Sequence, residues 1–192
     1  MDHPTLLSPL GLQLPRRRAL LRAAACLPAM ALLPQAGIAN DFWNRPRELW
    51  LYRKSTGEQV RETYWDDGRI IPEGYIRLCK LLRDVQAGQA VQMDIILLDI
   101  MRGVYGWFEA YGVTKPLIIN SGYRNVHTNA VTEGAARNSM HTYGKATDLW
   151  MAGISTEYMA RLGVYLSGGG VGYYAQKGFV HLDSGRLRVW RG

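Results

Sequence analysis

The sequence contains few cysteines: Cys26 and Cys79 are the two thiols among its 192 residues. Removal of residues 1–39 as an export signal would leave Cys79 alone and would exclude an internal disulfide from the remaining chain. Cys79 falls within an apolar pattern of helical spacing, which favours a buried and unreactive thiol. Internal repeats, linkers and low-complexity segments are also missing, so the length fits one domain with a substantial core.

Blocks of positive charge are absent after residue 39, although the formal net charge of the whole chain is +7. Residues 1–39 contain four arginines and one aspartate, which leaves 19 basic and 15 acidic residues, a balance of +4, for the rest. Nucleic-acid-binding proteins concentrate Lys and Arg in a patch or stripe. The sequence shows no such cluster, so we expect no nucleic-acid partner, while a weak attraction to an anionic polymer is compatible with the charge.

Long apolar runs are missing as well. The best candidate, residues 23–33, is interrupted by Pro28 and is too short to span a bilayer as a mature helix. It follows a basic segment in which Arg17 and Arg18 form the pair of a twin-arginine export signal, Arg-Arg-x-apolar-Leu-basic. A lipoprotein site at Cys26 is the weaker alternative, because the apolar run comes after this cysteine rather than before it.

The small residues at 37–39 suit a signal peptidase. We therefore expect residues 1–39 to be a twin-arginine-type signal peptide and residues 40–192 to be a single exported domain. That domain would be periplasmic, or otherwise outside the cytoplasm, without stable insertion in a membrane. The sequence contains no signal for its oligomeric state.

Hydrophobic periodicity predicts the elements of the mature chain. Strand patterns occupy residues 49–53 and 60–65, separated by a Ser-Thr-Gly turn that indicates a hairpin, and later residues 117–119, 146–150, 171–174 and 179–183. Helical patterns occupy residues 72–88, 94–111, 125–134 and 155–167. Helices come first and strands cluster late, so we expect an α+β fold: a central antiparallel sheet with packed helices and an N-terminal β-hairpin.

Residues that bind metal well are concentrated after the strand at 117–119. His141 and Asp148 are seven residues apart, and the small Gly144 and Ala146 between them permit the chain to fold back on itself. His181 lies far downstream, inside an apolar strand pattern. Two histidines and one carboxylate suit zinc, and three protein ligands with a fourth position for water are typical of a catalytic zinc site.

A simpler interpretation of His141 and Asp148 is a surface histidine and a capping aspartate. His181 alone also fits a satisfied core histidine. Side chains alternate along a strand, however, so Asp183 lies on the same face as His181, whereas the opposite face is apolar. Together with the His–Asp pair upstream, this pattern favours metal binding.

The combined motifs resemble those of a known family. They are Ser-Gly-Tyr-Arg ending at Arg124, Ser-x-His-x-x-Gly-x-Ala-x-Asp over residues 139–148, Gly-Gly-Val-Gly-Tyr over 169–173, and Phe-Val-His-x-Asp-x-Gly over 179–185 with Arg-x-Trp at 188–190. This set of motifs is similar to that of the YcbK-type murein endopeptidases, which are also called the domain of unknown function 882 group. That group belongs to the M15 class of zinc peptidases, which have a hedgehog/DD-peptidase-like fold. The resemblance covers residues 49–192.

The resemblance implies roles for individual residues. His141, Asp148 and His181 match the three zinc ligands. Arg124 matches an arginine that holds a substrate carboxylate or polarises the scissile carbonyl, as a guanidinium can. Tyr123 and Ser139 are predicted to lie beside the substrate, and Ser139 also matches a position that supports the site, as does Asn129.

The general base is the part of the motif that departs from the class. Many M15 enzymes carry Glu or Asp three residues before the last histidine ligand, and Gly178 occupies that position here. Asp183 is the first candidate for the base, with the equal alternative that it orients a metal ligand. His127 and Glu133 are reserve candidates.

The candidate metal ligands, together with the resemblance, imply a zinc metallopeptidase that cleaves stem-peptide or cross-bridge bonds of peptidoglycan by metal-activated water. Two alternatives stay open at this stage. One is a non-catalytic peptidoglycan-binding module of the same fold, which the glycine at 178 favours. The other is a D,D-dipeptidase or carboxypeptidase. The sequence does not indicate the stereochemistry of the bond.

Overall fold

The computed structural model describes residues 42–192, within which Asn44–Gly192 forms one compact unit. The predicted signal peptide lies outside the described residues. The strands are β1 (Arg47–Arg53), β2 (Glu58–Asp66), β3 (Arg69–Ile70), β4 (Leu117–Ser121), β5 (Ala146–Trp150), β6 (Gly170–Tyr174), β7 (Phe179–Asp183) and β8 (Arg188–Arg191). The helices are α1 (Pro72–Leu81), α2 (Ile95–Ala110), α3 (Val126–Val131) and α4 (Thr156–Leu166), with a 3-10 turn at Met140–Tyr143.

All eight strands belong to one sheet in the order β3-β2-β1-β4-β5-β7-β6-β8. The predicted N-terminal hairpin is confirmed, since β1 and β2 pair antiparallel with Leu51 opposite Val60. The strands β4, β5, β7 and β6 form the predicted antiparallel centre. The sheet as a whole is mixed, however, because β1 pairs parallel with β4 and β6 pairs parallel with β8.

These two parallel pairs extend the sheet beyond the predicted antiparallel centre. Parallel neighbours cannot be joined by a tight hairpin, and β1 reaches β4 only after two further strands and two helices. Local turn signals therefore do not reveal this pairing. The strand β8 was also not predicted as a strand.

The first helix is shorter than predicted. It ends at Leu81 instead of near Gly88, because the following residues form a tight loop. Asp84 and Gln89 exchange two backbone hydrogen bonds, of 2.9 and 3.0 Å, and the Asp84 carboxylate accepts a third from the N–H of Ala87 at 3.1 Å. A side chain that bonds nearby backbone groups competes with helix formation.

The helix α2 provides much of the core and confirms its predicted start. Asp94 caps it by accepting a hydrogen bond from the N–H of Ile96 at 3.0 Å. It packs against β1, β7 and α4, with Leu97, Met101 and Val104 fully buried. Of the described helices, none combines the length and the apolar character that crossing a membrane requires.

Candidate metal centre

Three side chains from three different elements meet at one point. His141 is in the 3-10 turn, Asp148 is on β5 and His181 is on β7. His141 Nε2 lies 3.2 Å from His181 Nδ1 and 3.3 Å from Asp148 Oδ1, and those two partner atoms are 2.9 Å apart. Asp148 and His181 are direct partners in the pairing of β5 with β7, so their side chains share one face of the sheet.

This donor set fits a zinc ion. Zinc prefers imidazole nitrogen and carboxylate oxygen at about 2.0–2.2 Å, and tetrahedral bonds of that length place neighbouring donors roughly 3.3–3.6 Å apart. The observed separations of 2.9, 3.2 and 3.3 Å are close to that spacing. Three protein donors also leave one tetrahedral position for water or substrate, which is typical of catalytic zinc.

The second ring nitrogen of each histidine is held by a hydrogen-bond acceptor. His141 Nδ1 lies 2.6 Å from the carbonyl oxygen of Gly122, and His181 Nε2 lies 2.9 Å from Asp183 Oδ2. A carbonyl oxygen can only accept, so Nδ1 of His141 carries the proton and Nε2 presents a lone pair to the cluster. Such acceptors orient metal-binding imidazoles and increase their basicity.

Burial and the contacts within the cluster together determine the charge of its three side chains. Burial lowers the pKa of His141, which favours the neutral ring that binds metal. Burial alone would raise the pKa of Asp148, but the adjacent His141 and His181 lower it, so the carboxylate is ionised. Burial likewise opposes ionisation of His181, yet hydrogen bonds to Asp148 and Asp183 raise its pKa.

Gly122 reaches its position beside His141 because it lacks a side chain. A Cβ on this residue would overlap the carbonyl oxygen of Leu82, at the end of α1. The next residue, Tyr123, donates its N–H to the same carbonyl at 2.8 Å. The end of β4 is thus pressed against α1, and that contact places the Gly122 carbonyl at the histidine ring.

Asp183 is fully buried, and both of its oxygens are already hydrogen-bonded. Oδ1 accepts from the N–H groups of Gly185 (2.8 Å) and Gly170 (3.2 Å) and from Arg188 Nη1 (3.0 Å), while Oδ2 contacts Arg188 Nη2 (2.6 Å) and His181. Burial alone would raise its pKa, but the hydrogen bonds of His181 and Arg188 lower it. This geometry corrects the assignment of Asp183 as general base and favours the alternative, a carboxylate that orients His181.

Arg124 enters the same cleft from the segment after β4. Its Nη1 lies 3.7 Å from Asp148 Oδ2, and its Nη2 donates to Ser139 Oγ at 3.4 Å. Its Nε is buried, and no acceptor for it is found within residues 42–192. Burial lowers the pKa of Arg124 and Asp148 opposes that shift, so the guanidinium stays charged with donors available to a ligand.

Tyr123 lies in the hydrophobic core, which corrects the prediction that it contacts substrate. Both residues follow the end of β4, and there Arg124 lines the cleft while Tyr123 packs into the core. Ser139 does line the cleft, where its Oγ accepts from Arg124 and from the N–H of His141. Asn129 donates to the carbonyl of Ala136 at 3.0 Å and thereby fastens the loop that precedes Ser139.

The candidate metal ligands His141, Asp148 and His181 line an open cleft with a volume of about 690 Å³. Glu133 and Asp148 are the carboxylate side chains among its lining residues, and Glu133 is exposed to solvent. His127 is also exposed but does not line the cleft. A larger apolar groove of about 940 Å³ lies beside α1 and shares no lining residue with the cleft.

Comparison with known proteins identifies the family. The model of the M15_2 peptidases, described as peptidoglycan L,D-endopeptidase MepK, matches residues 42–190. The chain belongs to this M15_2 peptidase family. It is therefore a metallopeptidase, and the resemblance found in its motifs is confirmed.

Several curated M15_2 peptidases are similar over nearly their whole length. The peptidoglycan L,D-endopeptidase MepK of Escherichia coli K12 is 34% identical over 178 residues, which cover 91% of this chain and 96% of the relative. The protein of that name from Shigella flexneri gives the same values. A probable MepK of Haemophilus influenzae is 30% identical over 168 residues, or 85% of this chain and 89% of the relative. No solved structure gave a significant match.

In this M15_2 chain Gly178 supplies no carboxylate near the cluster. It is an exposed turn residue between β6 and β7, with a left-handed φ of 69° that suits glycine. Of the carboxylates that sequence reasoning offered for the base, Glu133 is the one that lines the cleft as a free group.

Sequence reasoning missed two groups that support the site. The Gly122 carbonyl could not be found, because backbone acceptors leave no sequence signal. Arg188 was visible only as part of a motif, five residues after Asp183. A buried carboxylate requires a cationic or hydrogen-bonding partner. The prediction that Asp183 faces inward could therefore have identified Arg188 as its partner.

Proposed function

We propose that this M15_2 peptidase is a zinc-dependent endopeptidase that hydrolyses peptide bonds in the cross-bridges of peptidoglycan. The observation that carries the proposal is the convergence of His141, Asp148 and His181 in an open cleft together with the incompletely paired Arg124. The names of the similar proteins support L,D specificity. We further propose that the mixed sheet and its helices form the hedgehog/DD-peptidase-like fold that the motifs imply.

His141 through Nε2, His181 through Nδ1 and Asp148 through Oδ1 would hold the zinc. When bound, zinc supplies an activated water at neutral pH and polarises the scissile carbonyl. The protein supplies the orientation of both rings, through the Gly122 carbonyl and Asp183. It also keeps the ligands in place by pairing β5 directly with β7.

Arg124 binds the acidic part of the substrate. Stem peptides of peptidoglycan carry free carboxylates, and a buried guanidinium forms strong charge-assisted hydrogen bonds with such groups. The Nη groups of Arg124 make only long contacts with the protein, 3.4 Å to Ser139 Oγ and 3.7 Å to Asp148 Oδ2. These donors are oriented in advance for a carboxylate or for the scissile carbonyl oxygen.

Glu133 is our candidate for the general base. It is the free carboxylate among the cleft-lining residues, since Asp148 belongs to the cluster. It lies on the loop that Asn129 fastens through Ala136. A base at this position would accept the proton of the attacking water and pass it to the leaving amine.

We also propose that the protein works outside the cytoplasm, in the periplasm. The support is the twin-arginine pattern around Arg17 and Arg18, together with a substrate that lies outside the cytoplasmic membrane. Export in the folded state would be compatible with a single thiol, Cys79, after residue 39.

The decisive experiment digests purified peptidoglycan with the chain that begins at residue 40. We expect release of separated stem peptides, loss of activity with a chelator and recovery with zinc. The parent should contain about one zinc per chain and Asp148→Ala much less, since one of three protein ligands is removed. His127→Ala, whose ring is exposed outside the cleft, is the matched control and should keep both zinc and activity.

Other outcomes would contradict the proposal in distinct ways. Cleavage that survives complete metal removal rules out the zinc mechanism. Binding to peptidoglycan without any cleavage supports the non-catalytic binding module. Release of terminal residues or dipeptides, seen by mass spectrometry in place of opened cross-bridges, supports a carboxypeptidase or D,D-dipeptidase.

A further inference from the structure

An aromatic cluster lines part of the cleft, and no role has yet been assigned to it. Tyr174 at the end of β6 is the register partner of Phe179 on β7, and their rings stack with centroids 4.6 Å apart and planes 15° apart. Trp190 on β8 completes the cluster, with its ring 5.1 Å from the ring of His181. All three residues line the cleft that contains the candidate metal centre.

The hydroxyl of Tyr174 is oriented by Trp190. The indole Nε1–H of Trp190 donates a hydrogen bond to Tyr174 Oη at 3.1 Å. An indole nitrogen is a donor only, so Oη accepts in this pair and its own O–H is left to donate elsewhere. Among residues 42–192 no acceptor for that O–H is found, so the proton of Tyr174 is available to a ligand in the cleft.

Tyr174 lines the same cleft as Arg124. Both side chains also line the cleft beside His141 and His181. The guanidinium and the phenol therefore offer two hydrogen-bond donors of different charge to one ligand.

We propose that Tyr174 is a catalytic residue that donates a hydrogen bond to the carbonyl oxygen of the scissile bond as negative charge develops on it. Trp190 is its positioning residue. No proton is transferred in this role, and the Tyr174 O–H bond stays intact. The inference rests on the proposed function, because it names a donor for that reaction.

The geometry of the cluster suits such a donor. Electrostatic stabilisation is most effective when a donor is held in place before the reaction, so that no reorganisation is needed during it. Stacking on Phe179 limits rotation of the Tyr174 ring, and the Trp190 hydrogen bond limits rotation of its hydroxyl.

The test compares Tyr174→Phe with the parent on a purified cross-linked muropeptide. Phenylalanine keeps the ring and its stacking and removes only the hydroxyl. We expect kcat to fall roughly 100-fold, as on removal of one oxyanion donor, with KM changed less than about twofold because the donor acts in the transition state. Zinc content and melting temperature should equal those of the parent. Tyr165→Phe, exposed on α4 outside the cleft, is the matched control.

A second variant tests the positioning role. Trp190→Phe removes the N–H but keeps an aromatic ring, so kcat should fall by less than in Tyr174→Phe. The double variant should be no slower than Tyr174→Phe alone, because Trp190 acts only through that hydroxyl.

The possible failures are distinguishable. A parent that does not cleave the muropeptide overturns the proposed function and this inference together. An active parent with an unchanged kcat for Tyr174→Phe overturns the inference alone. So does a rise in KM at constant kcat, or a loss of kcat explained by lost zinc or a lower melting temperature.

Discussion

At the residue scale, the two histidines of the cluster are held by acceptors of different strength. His141 bonds to the neutral carbonyl of Gly122, whereas His181 bonds to the ionised carboxylate of Asp183. An anionic acceptor increases the basicity of an imidazole more than a neutral one does, because it stabilises positive charge on the ring. We therefore expect His181 to donate its electron pair to a metal more strongly than His141 does, and this strength depends on Asp183.

Replacing Asp183 by asparagine tests this dependence. Asp183→Asn keeps the shape of the side chain and removes the charge that faces His181 and Arg188. We expect zinc affinity, measured by competition with a chromogenic chelator, to fall about 10- to 100-fold. Asp66→Asn on β2 serves as the control. Unchanged affinity in a folded Asp183→Asn protein would contradict the orienting role.

Cys79 is predicted to be chemically inert, as the sequence pattern indicated. Cys79 is 6% exposed, and its thiol accepts a hydrogen bond from the N–H of Met93 at 3.4 Å. Burial raises the pKa of Cys79, which lowers the fraction of reactive thiolate. We expect no reaction of the native 40–192 chain with a disulfide reagent at pH 8, and one thiol per chain after denaturation. Rapid stoichiometric labelling of the native protein would contradict this expectation.

At the element scale, two segments distant in sequence hold the backbone around Arg124. The backbone N–H of Tyr123 donates to the carbonyl oxygen of Leu82 at 2.8 Å, and the backbone N–H of Arg124 donates to the carbonyl oxygen of His141 at 3.2 Å. The backbone N–H of Asn125 donates to the carboxylate of Asp84 at 2.9 Å. The loop after α1 and the 3-10 turn thus position the segment that follows β4, so the arginine depends on elements distant in sequence.

Asp84 should make the free energy of unfolding depend on pH, because its carboxylate links the loop after α1 to the segment that follows β4. Burial alone would raise its pKa, but hydrogen bonds from Thr128 and the Asn125 N–H lower it overall. A folded pKa below the unfolded value of about 3.9 contributes stability above that pH, and the contribution is lost as the pH falls through the folded pKa. We expect Asp84→Asn to lower the free energy of unfolding by about 1–3 kcal/mol at pH 7.

The difference between Asp84→Asn and the parent should shrink as the pH falls below about 4, because the parent carboxylate then becomes protonated. Urea unfolding of both proteins at a series of pH values measures it. A difference that stays constant across this range would show that the charge of Asp84 contributes nothing to the stability of the loop.

At the scale of the whole molecule, the candidate centre lies on the middle strands of the sheet. The neighbours β5 and β7 carry Asp148 and His181, and neither strand is at an edge. Central strands are fixed by neighbours on both sides, which suits side chains that must hold a metal geometry. Arg124 and His141 come from the segments that follow β4 and precede β5.

Export can be tested on the complete chain. Replacing both Arg17 and Arg18 by lysine keeps the charge but removes the arginine pair that the export machinery reads. We expect the parent to accumulate in the periplasm in a shortened form and the double variant to stay in the cytoplasm at full length. Cell fractionation and mass spectrometry measure both effects. Efficient export of the double variant would contradict a twin-arginine signal.

The sequence by itself determined the main helices, the hairpin of β1 and β2 and the members of the candidate metal set. These follow from local periodicity and from residue types such as His141 and Asp148, whose chemistry does not depend on the fold. The tertiary structure alone decided the parallel pairs, the inward position of Tyr123 and the burial of Asp183 against Arg188. The physical reason is that partner choice between distant segments depends on packing and desolvation, which residue spacing does not encode.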